Sequence, residues 1–127
     1  MVYKLVNDYE EIEILLEDIF TEINMRKRMK DVLQNFSLKE GCVVERKAIL
    51  FKNDLDENDL AQLKIPLDDY HVLIEIDSIA STINEDSQAY LTFEEFYSYL
   101  ERNIGKYIVQ EDEKSALLIS VKQGLGI

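Results

Sequence analysis

The segment Tyr90-Leu91-Thr92-Phe93-Glu94-Glu95-Phe96-Tyr97-Ser98-Tyr99-Leu100 leaves the chain few ways to fold. Thr92 and Glu95 have capping-box spacing. A threonine at the N-cap and a glutamate three residues on each satisfy a backbone N–H that a helix start leaves without a partner. Leu91 and Phe96 stand at the two positions of a hydrophobic staple, which fixes how the preceding segment enters. Phe93, Phe96, Tyr97, Leu100, Ile104, Tyr107 and Ile108 recur at helical spacing, predicting a helix near residues 93–108 with a broad aromatic face. Such a face needs a partner layer, and a sheet is the expected one. The aromatics are read as core packing, so this helix speaks to fold and not to function.

The N-terminal part supplies a second cover. Asp8, with Glu11 at capping-box distance, starts a helix whose stripe is Ile12, Leu15, Leu16, Ile19, Phe20 and Ile23. Met25, Met29, Val32, Leu33 and Phe36 form another stripe, turned from the first by roughly 125° at about 100° per residue. One straight helix cannot bury both, so residues 8–36 are expected as two helices breaking near Asn24, or as one strongly bent helix. The basic run Arg26-Lys27-Arg28, with Lys30, lies between the stripes and reads as a solvated surface.

Residues 41–91 are expected to hold strands and one short helix. Gly41 is a turn residue, and Cys42–Val44 and Ala48–Phe51 suit a hairpin or one bulged strand. Asp54, Asp56 and Asn58 match the first three ligand positions of a calcium loop. The match fails at Asp59, where the sharp turn wants glycine, and at Ile65, where a bidentate glutamate belongs. A short helix capped by Asp54 or Asp56, burying Leu60 and Leu63 and stopped by Pro66, is expected instead. The clearest strand is Tyr70–Asp77, with Tyr70, Val72, Ile74 and Ile76 on the core face and His71, Leu73, Glu75 and Asp77 on a half-exposed, acidic face. Ile79 to Ile83 extends or follows it, Asn84 to Ser87 turns, and Gln88 to Leu91 leads into the capped helix. Residues 116–122 alternate, with Leu117, Ile119 and Val121 on one face, predicting a last strand before a frayed tail. The expected fold class is therefore α+β. It is a single domain with a mostly antiparallel sheet of four to five strands, packed against the N-terminal helices and the aromatic helix.

Charge carries the functional signal. The net charge is −12, yet residues 1–52 sum to −1 and residues 102–127 to +1, while residues 53–101 hold 13 acids against the single base Lys64. A one-signed field on one segment repels nucleic acid and anionic membranes and attracts basic proteins. The candidate binding residues read from this map are Asp54, Asp56, Glu57, Asp59, Asp68, Asp69, Tyr70, Glu75, Asp77, Glu85 and Asp86, carboxylates with one aromatic among them. A basic nuclease, whose cleft must hold phosphate, is a natural partner.

Signals for chemistry are absent. There is one histidine, His71, and one cysteine, Cys42, so no zinc site of several His or Cys ligands can be assembled. None of the glycine-rich phosphate loops or nucleophile elbows occurs. No enzyme, cofactor or metal is expected. The lone cysteine, the absence of a signal-peptide core near Asp8, Glu10 and Glu11, and the lack of an apolar run near 20 residues lead to an expected cytoplasmic location.

Three blocks carry a family resemblance. They are Asp31-Val32-Leu33-Gln34-Asn35-Phe36-Ser37 running into Glu40-Gly41-Cys42, the strand Val72 to Ile76, and Leu91 to Leu100 closing on Lys106-Tyr107. Together, over residues 30–108, they resemble the immunity proteins of ribonuclease toxins in bacterial contact-dependent growth inhibition (CDI) systems. The resemblance implies a cytosolic, non-enzymatic protein, encoded beside a large secreted toxin, that binds the toxin's C-terminal nuclease domain. It assigns no contact residues. The alternative is an acidic interaction module acting on some other basic protein.

Overall fold

A computed structural model describes residues 3–80 and 85–127. Five strands form one sheet in the order β1-β5-β4-β3-β2. β1 (Lys4–Leu5) runs parallel to β5 (Ser87–Thr92); β2 (Cys42–Val44), β3 (Lys47–Leu50), β4 (His71–Ile76) and β5 are successively antiparallel. Sequence periodicity did not signal β1, because two residues are too few to alternate.

One sheet face holds the core. Val44, Ile49, Ile74, Ile76, Ala89 and Leu91 meet α1 (Tyr9–Met25) and α4 (Phe93–Asn103), with α2 (Met29–Ser37) and α5 (Glu111–Leu125) packed beyond. Aromatic rings lock the layers: Phe36 meets Phe96 edge-on at 5.1 Å between centroids, and Phe20 lies 5.6 Å from Tyr99. The capping box forms as predicted, Glu95 N–H donating to Thr92 Oγ1 at 3.0 Å and Thr92 N–H to Glu95 Oε1 at 2.9 Å. Both staple residues, Leu91 and Phe96, are buried. The α-helix stops at Asn103 and a 3-10 turn, Ile104–Lys106, carries the chain on, still burying Ile104 and Ile108.

The two N-terminal stripes sit on two helices, with Lys27 in the left-handed region (φ 57°) at the break between them. Asp8 occupies the first N-cap, but its side chain makes no capping bond. Met25 ends α1 exposed rather than joining the second stripe. The hairpin β2–β3 closes on Glu45-Arg46, both left-handed (φ 46° and 62°), the backbone a two-residue turn of this kind demands. Lys47, only 5% exposed, lays its stem on the core face and brings Nζ to Asp18 Oδ1 at 3.0 Å and Glu22 Oε1 at 3.5 Å, tying the hairpin to α1.

Three expectations need correction. Tyr70 precedes β4 and is exposed, so the core face of that strand begins at Val72. The predicted C-terminal strand over 116–122 is helix α5. Its alternation was coincidental: Leu117, Leu118, Val121 and Leu125 share a helical face, while Ile119 is exposed. The supposed frayed tail is its cap. Gly126 (φ 75°) donates to Gln123 O and Ile127 N–H to Lys122 O, the Schellman arrangement. Ser78–Ala80 is a 3-10 turn, so β4 is not extended there. The continuation over 81–83, and Asn84 of the expected turn, lie outside the described residues.

Candidate functional site

The outer sheet face is partly covered by the segment after β3. Leu73 is fully buried on this face, opposite Leu50 and Tyr90 in register. The segment carries α3 (Glu57–Ala61), with Leu60 and Leu63 half-buried rather than buried. It is pinned where Tyr90 O–H donates to Ile65 O at 2.7 Å. Most of the carboxylates predicted as binding residues lie along this segment and at the ends of β4.

Several are occupied by the fold. Asp54 Oδ2 accepts from Phe51 N–H at 2.7 Å and Gly41 N–H at 2.9 Å, stitching the loop after β3 to the start of β2. Asp56 and Asp59 cap α3 reciprocally, Asp59 N–H donating to Asp56 Oδ1 at 2.8 Å and Asp56 N–H to Asp59 Oδ2 at 3.3 Å. Asp77, 9% exposed, accepts from Arg46 Nη1 at 3.1 Å and from Ile79 N–H at 3.0 Å. Asp86 accepts from Ser78 N–H at 2.9 Å, and that bond holds its carboxyl below the usual range. Glu75 accepts from Gln88 Nε2 at 3.1 Å on the outer face, and burial together with Glu75 raises the Tyr3 hydroxyl.

Others stay exposed. Glu57 is exposed on the first turn of α3, and Glu85 is exposed before β5. Asp69 is 68% exposed, with Lys52 Nζ 3.9 Å away, and the neighbouring Tyr70 is 72% exposed. Asp68 lies 2.7 Å from His71 Nδ1 and accepts from Tyr70 N–H at 2.8 Å, and the histidine contact first, then the amide, lower its carboxyl.

The structure therefore divides the candidates. Asp68, Asp69 and Tyr70 stand where β4 begins. Asp77, Glu85 and Asp86 stand where it ends, and Glu75 lies between on the outer face. At about 3.3 Å per residue, six-residue β4 separates the two groups by roughly 17 Å. Between these two ends, Glu75 shares a cleft with Asp59 of α3.

Sequence reading missed a groove beside the first group. A cavity of about 290 Å³ is lined by Leu5, Tyr9, Ile65, Asp68, His71, Tyr90 and Glu95, among others. Its walls come from β1, the start of α1, the 62–70 segment, β4, β5 and the first turn of α4. Only the topology assembles these, and Glu95 had been fully accounted for as a helix cap.

Reactive chemistry finds no support in the geometry. Burial pushes the Cys42 thiol up to about 11, so it is protonated at neutral pH. The histidine ring is tied to Asp68. Among the described residues no three His, Cys, Asp or Glu side chains are placed to hold a metal ion, and no helix is long and apolar enough to cross a membrane.

Comparison with known proteins gives a family. A family model described as CDI immunity protein matches residues 7–119, nearly the whole chain. Neither curated proteins nor solved structures give a match. With its α+β fold and its surplus of carboxylates, the chain belongs to the CDI immunity proteins, which neutralise a toxin.

Proposed function

We propose that the toxin is a basic ribonuclease and that this chain neutralises it in the cytosol by stoichiometric binding, without catalysis of its own. The charge map carries this reading: 13 acids against one base over residues 53–101. A ribonuclease must hold polyphosphate and so presents a basic cleft. Carboxylates at both ends of β4 complement it, raising the association rate by long-range attraction. Exposed Tyr70 among Asp68 and Asp69 supplies an aromatic anchor of the kind that holds an interface once formed. The carboxylates committed to caps and turns contribute field without being contacts.

The test is RNA cleavage by the toxin domain encoded beside this chain, titrated with the purified protein. Cleavage is expected to fall linearly and vanish at one equivalent. Undiminished cleavage at several equivalents, with both proteins folded, would refute neutralisation by stoichiometric binding. A toxin domain that binds but cleaves no RNA would place its activity elsewhere.

A further inference from the structure

Surface clefts among the described residues differ in how their carboxylates are balanced. The cleft beside Glu11 and Glu85 contains Lys4, the one beside Asp59 and Glu75 contains Lys64, and the one beside Asp68 and Asp69 contains Lys39 and Lys52. The cleft at the α1–α2 break carries Lys27 and Lys30 with Asp31. The groove between β1 and the first turn of α4 is lined by Asp68 and Glu95 and by no lysine or arginine. Arg102, which reaches the hydroxyl of the groove residue Tyr9 at 3.1 Å, is paired with Glu13 at 2.8 Å.

The polar atoms of this groove are only half used. Asp68 Oδ1 takes both Tyr70 N–H and His71 Nδ1, and Glu95 Oε1 takes Thr92 N–H. Asp68 also takes the His71 amide, while the second oxygen of Glu95 has no partner among the described residues. Two carboxylates ask for a group rich in donors and positively charged. The walls ask for something else: Leu5, Tyr9 and Ile65 are 38%, 40% and 42% exposed and line the same groove, with Tyr90 beside them. Lysine and arginine meet both demands, an aliphatic stem against apolar walls and a cationic head at the carboxylates. Rings of Tyr9 and Tyr90 add a favourable face for a cation. The volume, about 290 Å³, is at the lower edge of small-molecule sites and suits a side chain better than a cofactor.

We infer that this groove is the socket for one lysine or arginine side chain of the toxin domain, its head held between Asp68 and Glu95. The inference rests on the immunity reading above and adds a place and a chemistry to it. It differs from long-range attraction: removing a socket shortens the lifetime of the complex, whereas removing distant charge slows its formation.

The test uses the toxin domain encoded beside this chain and the Asp68→Asn/Glu95→Gln double variant. Both changes keep shape and a hydrogen-bond acceptor for Tyr70 N–H and Thr92 N–H. Asp68→Asn alone, outside the helix cap, serves as the second variant, and unchanged urea midpoints establish that both fold. The expected result is a dissociation constant raised at least tenfold in the double variant, mostly through faster dissociation. One toxin lysine or arginine changed to methionine should reproduce the loss and show no further loss in combination. Wild-type affinity in the double variant would overturn the socket and leave the immunity reading intact. Failure of the wild-type protein to bind would remove both.

Discussion

Gly124 tests the C-terminal helix directly. A Cβ added there would lie 1.8 Å from Ser37 O, 2.5 Å from Ser37 C and 2.7 Å from Ser37 Cα. The obstacle is backbone at the end of α2, which cannot swing aside as a side chain could. Gly124→Ala must therefore part α5 from α2, the most extensively packed helix pair, and disturb Val121 and Leu125, the two buried residues of α5. Overpacking of a close interface costs about 3 kcal/mol, and alanine returns about 1 kcal/mol through helix propensity. The net loss is about 2 kcal/mol, or a fall in Tm of about 8 °C for a domain of this size. Gly105→Ala is the control, since its nearest neighbours are Lys114 Nζ and Cδ at 3.8 and 3.9 Å, and it should fall within about 0.5 kcal/mol of the wild type. Urea unfolding followed by circular dichroism measures both. A Gly124→Ala protein as stable as the wild type would refute the close crossing of α2 and α5.

Other consequences follow from the same geometry. Asp54→Ala leaves the amides of Gly41 and Phe51 without their shared acceptor and should cost about 2 kcal/mol in urea unfolding. Replacing Glu45-Arg46 by Asn-Gly relieves two left-handed non-glycine residues, worth about 1 kcal/mol each, and forfeits an exposed ion pair to Arg26 worth less than about 1 kcal/mol and a pair to the buried Asp77 worth about 1 kcal/mol. A net gain of up to about 1 kcal/mol is expected, and a loss would show that those pairs hold the hairpin in place. Cys42 should resist alkylation in the native state at pH 8 and react only as fast as the protein opens. Because burial raises its thiol from 9.0 to about 11 in the folded state, stability falls as pH rises from 9 to 11, and urea midpoints over that range check the sign. Charge reversal at Asp68 and Asp69 should slow association with the toxin domain, flatten its salt dependence and, through the lost Asp68 contact, speed dissociation, all read by stopped flow; unchanged kinetics would place the docking surface elsewhere.

The parts of the fold that local chemistry dictates were legible in the sequence. Thr92 and Glu95 specify a helix start whatever surrounds them, and the two phase-shifted stripes before Phe36 require a break. The C-terminal helix was misread because Leu117, Ile119 and Val121 alternate, and a short alternation cannot distinguish a strand from a helix with one exposed isoleucine. Its true signals were the acids Glu111, Asp112 and Glu113 in the first turn and Gly126 at the end. The candidate surface was legible only as charge. That Asp54, Asp56, Asp59 and Asp77 serve turns and caps, and that Asp68 and Glu95 share a groove though 27 positions apart, are products of tertiary packing. No spacing rule encodes them.

The most direct test of the account is calorimetric titration of this protein into its cognate toxin domain, at low and at high ionic strength. The account predicts tight one-to-one binding whose affinity falls markedly as salt screens the carboxylates. Tight binding that salt leaves unchanged would contradict docking through the acidic surface, and absence of binding between two folded proteins would contradict the partnership itself.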